Sequence, residues 1–294
     1  MYPNEFAYQA PSSLADVLTL LQQGQQNGSE VKVLAGGQSL IPLLKLRLAG
    51  PSALVDVSKV AELHGISEEG NGLLLGAMTT YVEAINSEVV QRRCPLMVQA
   101  LRQVGDPQVR ARGTIGGSMA HADPAGDFPA VAVALDAEVR AQGPNGSRSI
   151  FMRDFFVDLL TTSLQPTEVL TGVYVHATDH PRTGTAYVKH RHPASGYAVV
   201  GVAAVVRLGD DGSCQGIRIG ITGASSRAVR ATSVEQAIAG KQLDDATVGP
   251  AASSAADGLD LMSDNYASSD YRAHLTQVMT KRAIMAAADV ARSR

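Results

Sequence analysis

The sequence lacks most of the features that mark secreted or membrane proteins. Its 294 residues include only two cysteines, Cys94 and Cys214, which are far apart and form no CxxC motif. Because two cysteines cannot supply a disulfide framework, we expect a reducing, cytoplasmic setting. The N-terminal residues have no continuous apolar core, so we expect no secretory signal. The longest uncharged apolar stretch runs only from Pro193 to Val206, shorter than the roughly 20 residues of a transmembrane helix.

Clustered positive charge is also missing. The net charge is −3, and the lysines and arginines are scattered, with short groups only at Arg92-Arg93 and Lys281-Arg282. A nucleic-acid-binding surface needs a clustered basic face, so we expect no nucleic-acid partner. Apolar residues make up 45% of the chain and charged residues 18%, the profile of a globular protein with a sizeable core.

Several familiar chemical motifs are absent as well. There is no GxGxxG after a strand, no GxxxxGK[ST] and no Gly-x-Ser-x-Gly elbow, which argues against a standard Rossmann site, a P-loop and a serine hydrolase. The pairs His176-x₃-His180 and His190-x-His192 have no cysteine near them, and we interpret them as solvated loop histidines. We therefore predict no metal site and no catalytic acid, base or nucleophile, with Cys94 as a core residue.

What the sequence does have is two glycine pairs. One lies in "VLAGGQSL" (33–40) and the other in "GTIGGSMA" (113–120), and a serine follows each pair within two positions. Glycines let backbone N–H groups approach a ligand closely, and convergent N–H groups bind anions. Ser39 and Ser118 add hydroxyl donors. Two such loops could hold the two phosphates of one pyrophosphate; the alternative is that both pairs are ordinary turns.

The apolar pattern predicts an α+β chain that opens with a βαβ-like unit. We expect helices over 12–23, in "LIPLLKLRLA", over 81–104 with a break at Pro95, and after residue 230. We expect strands in "VKVLA", "ALVDVS", "GLLLGAMTT", "TEVLTGVYV" and "YAVVGVAAVVRLGDDGSCQGIRIGITG", the last of which forms a hairpin at Asp211-Gly212. The stretch over 128–143 is apolar and then alternates as a strand does, and residues 177–186 are predicted to be a polar loop. We place boundaries near residues 55 and 177, giving units 1–55, 56–176 and 177–294.

The segment around the second glycine pair carries the most specific pattern. "VGDPQVRARGTIGGSMAHADPAGDFPA" combines glycines and prolines with Asp106, Asp123 and Asp127. A loop this dense in special backbone positions and carboxylates points to a binding function. A carboxylate here could accept hydrogen bonds from ribose hydroxyls.

These residues resemble those of a known family, the FAD-binding medium subunits of molybdenum hydroxylases, which include relatives in xanthine dehydrogenase and aerobic carbon monoxide dehydrogenase. "AGGQSLIPLLKLRLA" is similar to the family's first FAD segment. "GDPQVRARGTIGGSMAHADPAGDFPA" is similar to the second, including its G-x₄-A-x-P-x₂-D pattern at Gly117, Ala122, Pro124 and Asp127. The likeness extends through "LVDVSKVAELHGI", "LLLGAMTTY" and "YVKHRHPASGYAVVGVAAVV", and weakens after about Arg230.

The resemblance implies a two-part FAD-binding domain, an N-terminal βαβ-like lobe plus a mixed α+β lobe, followed by a C-terminal domain of antiparallel strands and helices. It also implies noncovalent FAD contacts. The expected contacts are Val33, Leu34, Ala35, Gly36, Gly37, Gln38, Ser39 and Leu40 around the pyrophosphate; Thr114, Ile115, Gly116, Gly117 and Ser118 as the second half of that site; Ala122 and Asp127, the latter toward the ribitol or ribose; Val104 and Leu170 as apolar contacts; and Tyr197 over the isoalloxazine, with Tyr187 as the alternative. His121 and Asp123 carry less weight.

The resemblance further implies partner chains. Two cysteines are too few for an iron–sulfur cluster, which ordinarily takes four. The family arrangement is a large molybdenum-cofactor subunit, a small subunit with [2Fe–2S] clusters and this medium subunit, which passes electrons through FAD to an acceptor, assembled as a dimer of heterotrimers. Two other classes stay open: a stand-alone FAD-dependent reductase and a non-enzymatic nucleotide-binding module.

Overall fold

Three main sheets and a small hairpin organise the chain in a computed structural model that describes residues 2–294. The strands are β1 Ala7–Gln9, β2 Val31–Leu34, β3 Ala53–Asp56, β4 Ile66–Glu69, β5 Gly72–Gly76, β6 Glu138–Gly143, β7 Gly146–Phe151, β8 Phe156–Asp158, β9 Thr161–Thr162, β10 Val169–His176, β11 Thr183–Arg191, β12 Ala198–Leu208, β13 Cys214–Thr222 and β14 Val229–Arg230. The helices are α1 Leu14–Gln26, α2 Leu40–Lys45, α3 Tyr81–Asn86, α4 Glu88–Arg93, α5 Pro95–Leu101, α6 Pro107–Arg112, α7 Ile115–His121, α8 Asp127–Ala134, α9 Met152–Phe155, α10 Thr232–Ile238, α11 Asp245–Ala252 and α12 Ser269–Arg292.

The N-terminal lobe is built on a parallel sheet with the order β1-β3-β2. Helix α1 begins after Ser13, whose hydroxyl accepts a 3.2 Å hydrogen bond from the N–H of Asp16. Such an N-cap satisfies an amide that would otherwise lack a partner at the start of the helix. Val17 and Leu21 bury the inner face of α1. The βαβ-like opening predicted from the sequence is therefore present.

The middle lobe holds an antiparallel sheet with the order β4-β5-β10-β6-β7, packed against short helices. The helical stretch predicted over 81–104 divides into α3, α4 and α5, and Pro95 is the first residue of α5. The strand-like pattern over 128–143 is only half right. Its apolar first half is α8, which is buried on all sides and so has no polar face to reveal its helical period.

The C-terminal part is an antiparallel sheet with the order β11-β12-β13-β14 and the predicted hairpin between β12 and β13. Its strand β11 begins at Thr183, so the polar loop predicted over 177–186 is wrong for its second half. Helices lie very close to the sheet at two glycines. A Cβ on Gly184 would lie 2.0 Å from the carbonyl oxygen of Ala287 in α12, and one on Gly220 would lie 2.0 Å from that of Ala130 in α8.

One apolar core joins the middle lobe to the C-terminal sheet. It contains Phe128 and Leu135 from the α8 region together with Tyr187 and Val205 from β11 and β12. A second core lies between the sheet and α12, and a third fills the N-terminal lobe. None of the helices within residues 2–294 has both the length and the apolar composition needed to cross a bilayer.

Candidate functional site

A cleft of about 780 Å³ lies where the three parts of the chain meet. Its volume falls in the range of about 300–1,000 Å³ typical of small-molecule and cofactor sites. Most of the sequence-predicted site residues line it: Val33, Ala35, Gly36, Gly37, Gln38, Ser39, Leu40, Val104, Thr114, Gly116, Gly117, Ser118, Asp127, Leu170 and Tyr197. The structure thus brings together segments that are far apart in the sequence.

Three of the predicted residues do not line the cleft. Ile115 is fully buried in the core. Ala122 is a buried residue at the C-terminus of α7 with a φ of 53°. Leu34 ends β2, and its Cδ1 lies 3.4 Å from the position that a Cβ on Gly37 would take. Ile115 and Ala122 belong instead to the apolar core of the middle lobe.

The first glycine segment presents free backbone donors. Among residues 2–294, no acceptor takes a hydrogen bond from the N–H groups of residues 36–39. Gly37 has a φ of +74°, a conformation that favours glycine. Ser39 precedes α2 but makes no capping hydrogen bond with its hydroxyl. Unpaired backbone amides beside a hydroxyl that makes no capping bond, at the edge of a cleft, are groups that can bind an anion.

The second glycine segment is not a loop, contrary to the sequence-based interpretation. Gly116 and Gly117 lie in the first turn of α7, and their amides are already paired. The N–H of Gly116 donates to the carbonyl oxygen of Ala77 at 2.8 Å, and that of Gly117 donates to Thr114 Oγ1 at 3.1 Å. A Cβ on Gly116 would lie 2.5 Å from the Cβ of Ala77. This pair therefore permits close packing, and its amides are engaged within the protein.

The two glycine segments lie against each other. A Cβ on Gly36 would lie 2.0 Å from the carbonyl oxygen of Arg112, just before the second segment. A Cβ on Gly117 would lie 3.6 Å from the Cβ of Ala35. The absence of a side chain at Gly36 allows the first loop to rest directly on the backbone that leads into α7.

Asp127 lies at the cleft wall, but its carboxylate already has partners on strand β11. Tyr187 donates its hydroxyl to Asp127 Oδ1 at 2.5 Å, and Lys189 Nζ lies 2.8 Å from Oδ2. Burial raises the pKa of Asp127, while Lys189 opposes that shift. Burial likewise lowers the pKa of Lys189, which Asp127 opposes. The sequence reading missed Lys189; its i, i+2 spacing from Tyr187 on one strand places both on the same face of the sheet.

Tyr197 and Tyr187 occupy different environments. Tyr187 is buried with its hydroxyl on Asp127. Tyr197 lies in the β11–β12 loop with 44% of its surface exposed, and it lines the cleft. Burial, Asp123 and Asp127 raise the pKa of Tyr197, and hydrogen bonding with Ser39 lowers it. Of the two tyrosines, Tyr197 is the one whose ring is available to a ligand in the cleft.

Side-chain charge does not explain how an anion would bind here. Among the described residues that line the cleft, Lys32 is the only lysine or arginine, against the acids Glu30, Asp123, Asp127 and Glu168. An anionic ligand must therefore depend on backbone N–H groups and hydroxyls. The sequence reading also missed the apolar wall of Leu160, Leu164 and Val169, which the turn between β8 and β9 and the start of β10 bring to the cleft.

The histidine pairs do not form a metal centre. No group of three or more histidine, cysteine, aspartate or glutamate side chains within the described part of the chain could hold a metal ion. His176 and His190 lie on strands β10 and β11 and are partly buried, so the loop interpretation was wrong for these two. Cys94 is fully buried, as predicted.

Comparisons with known proteins show what the chain is similar to as a whole. The model of the FAD binding domain in molybdopterin dehydrogenase matches residues 4–176, and that of the CO dehydrogenase flavoprotein C-terminal domain matches residues 185–287. The chain is 38% identical over 287 residues to the carbon monoxide dehydrogenase medium chain of Hydrogenophaga pseudoflava, covering 98% of both chains. It is 35% identical over 292 residues to the 6-hydroxypseudooxynicotine dehydrogenase complex subunit alpha of Paenarthrobacter nicotinovorans, covering 99% of this chain and 97% of the other.

A solved structure shows the same fold. The chain superposes on a chain of the Hydrogenophaga pseudoflava carbon monoxide dehydrogenase that lacks the Mo-pyranopterin moiety of its molybdenum cofactor. The TM-score is 0.93 at 40% sequence identity, with 98% of each chain covered.

Proposed function

The chain belongs to the family of FAD-binding medium subunits of the molybdenum hydroxylases, and from that premise we propose that the cleft between its three parts holds FAD noncovalently. The observation that carries this assignment is the row of free backbone N–H groups at residues 36–39, beside the hydroxyl of Ser39, which makes no capping bond. A pyrophosphate supplies charged acceptors for these donors. The cleft offers a single lysine, so the backbone has to supply most of the phosphate contacts.

The other predicted contacts follow from where their side chains lie. Thr114 and Ser118 would add polar contacts from α7, and Val104 and Leu170 would contact the flavin as apolar neighbours. Tyr197 would cover one face of the isoalloxazine. Asp127 would reach a ribityl or ribose hydroxyl only with lone pairs that Tyr187 and Lys189 leave open, since an ionised carboxylate accepts about four hydrogen bonds.

In this assignment the chain supplies no acid or base for the reaction. Bound FAD supplies two-electron and one-electron redox chemistry, and the residues of this chain bind it, orient it and limit its contact with water. We propose that electrons arrive from iron–sulfur clusters on a small partner subunit and leave for an external acceptor. The substrate would be oxidised at a molybdenum centre on a large subunit, in a cytoplasmic dimer of heterotrimers.

The choice of substrate belongs to the partner subunits in this proposal. Relatives of similar identity to this chain act in complexes named for carbon monoxide and for 6-hydroxypseudooxynicotine. This chain is similar to both to nearly the same degree, at 38% and 35% identity over almost its whole length, so its likeness to either one does not indicate a substrate.

We further propose that the chain divides near residues 55 and 177, into 1–55, 56–176 and 177–294. The ends of the sheets support this division: β3, the last strand of the first sheet along the chain, ends at Asp56, and β10, the last strand of the middle sheet, ends at His176. The shared core of the middle lobe and the C-terminal sheet would hold the second and third units together.

Acid precipitation of the purified, yellow chain tests the cofactor assignment. We expect the colour to pass into the supernatant as FAD. Colour retained in the pellet would contradict noncovalent binding, and FMN in the supernatant would contradict the pyrophosphate site. For the electron-transfer role, we expect the chain alone to show no substrate-dependent dye reduction, and the co-purified complex with iron and molybdenum to show it. Substrate-dependent dye reduction by the isolated chain would support a stand-alone reductase instead.

A further inference from the structure

The loop that carries Tyr197 is organised by one histidine. His192 Nδ1 accepts hydrogen bonds from the N–H groups of Ala194 and Ser195, both at 3.2 Å. The backbone N–H of His192 donates to the carbonyl oxygen of Tyr197 at 2.8 Å, and the N–H of Gly196 donates to that of His192 at 2.9 Å. His192 is thus a partner in four hydrogen bonds that close the loop between β11 and β12.

The side-chain bonds follow a pattern usually made by asparagine or aspartate. In that pattern a side-chain acceptor one bond beyond Cγ binds the N–H groups of the second and third following residues. His192 Nδ1 lies at the same place along its side chain as an asparagine Oδ1. An imidazole nitrogen accepts only when it carries no proton, so Nδ1 is unprotonated in this arrangement.

A second contact holds the imidazole ring in place. The ring of Tyr266, on the segment before α12, meets that of His192 edge to face, with 4.4 Å between the ring centres. The ring of His192 therefore contacts Tyr266, which lies outside the loop, while its Nδ1 accepts hydrogen bonds from backbone amides of the loop itself. An acceptor role and a packing role for His192 can be separated by substitution.

The loop in turn places Tyr197 at the cleft. Gly196, at a φ of +74°, reverses the chain just before Tyr197, and it packs against Gly105, another residue of the cleft lining. There the side chain of Tyr197 lines the same cleft as Ser39 of the N-terminal lobe. The position of the ring depends on the shape of the loop, because Tyr197 belongs to the loop and 44% of its surface is exposed.

We propose that His192 is a positioning residue for the flavin site: by accepting two backbone hydrogen bonds through Nδ1, it fixes the loop that places Tyr197 over the isoalloxazine. This inference rests on the proposed FAD site. It assigns to His192 no contact with the flavin and no proton transfer.

Two substitutions in the full chain with FAD bound separate the acceptor from the ring. His192→Asn keeps a hydrogen-bond acceptor at the same position and removes the ring that meets Tyr266. His192→Phe keeps an aromatic ring and removes the acceptor, and His192→Leu removes both. Tyr197→Ala is the reference for an uncovered flavin. The readout is the fluorescence of bound FAD, which stacking of an aromatic ring on the isoalloxazine quenches, together with the rate of FAD release.

We expect Tyr197→Ala to raise the fluorescence of bound FAD at least twofold and to speed FAD release. His192→Phe and His192→Leu should produce most of that change, and His192→Asn should resemble the parent. Adding His192→Phe to Tyr197→Ala should change little further, because coupled residues are not additive. Thermal unfolding of each variant shows whether it is folded. If His192→Phe does not fold, His192→Leu takes its place in the comparison.

Three results would overturn the inference: His192→Phe and His192→Leu like the parent while Tyr197→Ala differs, His192→Asn as altered as His192→Phe, or Tyr197→Ala like the parent. Failure of the proposed function gives a different result, since the parent itself would then retain no FAD in its visible spectrum.

Discussion

Tyr187 and Asp127 are joined across the interface between the middle lobe and the C-terminal sheet by a 2.5 Å hydrogen bond, donated by the tyrosine hydroxyl. Asp127 opens α8 at the cleft wall, and Tyr187 lies on β11. Lys189, two residues further along β11, holds the other carboxylate oxygen and also donates to the carbonyl oxygen of Gln103 at 3.1 Å. The wall of the cleft is therefore tied to a second part of the chain through a buried ion pair.

Removing the cation of this pair should destabilise the fold. We expect Lys189→Met to lower the free energy of unfolding by about 3–5 kcal/mol, because it leaves a buried carboxylate without its partner. The double variant Asp127→Asn/Lys189→Met should lose less than the sum of the two single changes. Urea unfolding of the four proteins measures this, and full additivity would show that the two side chains do not act as a pair.

The deficit of Lys189→Met should also depend on pH. Burial already raises the pKa of Asp127, and loss of Lys189 raises it further. A carboxyl whose pKa is higher in the folded state stabilises the fold below its unfolded-state pKa, about 3.9, and that contribution is lost as the pH rises through the folded pKa. We therefore expect the stability of Lys189→Met to approach that of the parent toward pH 4 and to fall behind it toward pH 8. A deficit of constant size across this range would contradict the ionisation argument.

Gly37 allows a separation of backbone strain from ligand contact. Gly37 has a φ of +74° at the cleft, and Gly240 has a φ of +75° with nothing within 4 Å of its added Cβ. An alanine at either position should cost about 1 kcal/mol or more of stability through strain. Only Gly37→Ala should also weaken FAD binding, by about tenfold or more, since it disturbs the free amides at residues 36–39. FAD titration of both apo-proteins measures this, and equal FAD affinities would show that Gly37 is an ordinary turn.

Both cysteines should be inert in the folded protein. Cys94 and Cys214 are free and buried. Burial raises the pKa of Cys94 to about 12 and also raises that of Cys214. Because the thiolate is the reactive form, we expect a thiol reagent at pH 8 to label neither residue in the native chain and both in denaturant. Rapid native labelling of one thiol would show that the core opens at that residue.

Much of the fold could be predicted from local sequence patterns. Ser13 begins α1 where the sequence predicted, Asp211-Gly212 turns the hairpin between β12 and β13, and the two glycine segments meet at the cleft. What the sequence could not show is set by tertiary packing. The residues of α8 are all buried, so no polar face reveals the helical period. The glycine pair of α7 has the sequence pattern of a loop, and only the structure shows that it packs closely against Ala77. The partners of Asp127 come from a strand 60 residues further on.

Ser39 provides the sharpest test of the proposed site. Ser39 and Ser13 each precede a helix, but only Ser13 uses its hydroxyl to cap, accepting from the N–H of Asp16. The hydroxyl of Ser39 makes no capping bond and faces the cleft. The two serines are thus a matched pair, in which the side chain of Ser13 caps its helix and that of Ser39 does not.

We expect Ser39→Ala to weaken FAD binding by about 10- to 150-fold, the effect of losing one hydrogen bond to a charged group, about 1.5–3 kcal/mol. The stability of its apo-protein should change little, because no capping bond is lost. Ser13→Ala should do the opposite, lowering the free energy of unfolding by about 0.5–2 kcal/mol and leaving FAD affinity unchanged. FAD titration and urea unfolding of both apo-variants give the comparison. Unchanged FAD affinity in Ser39→Ala would mean that this hydroxyl does not contact the cofactor, and the phosphate contacts would then have to come from the backbone alone.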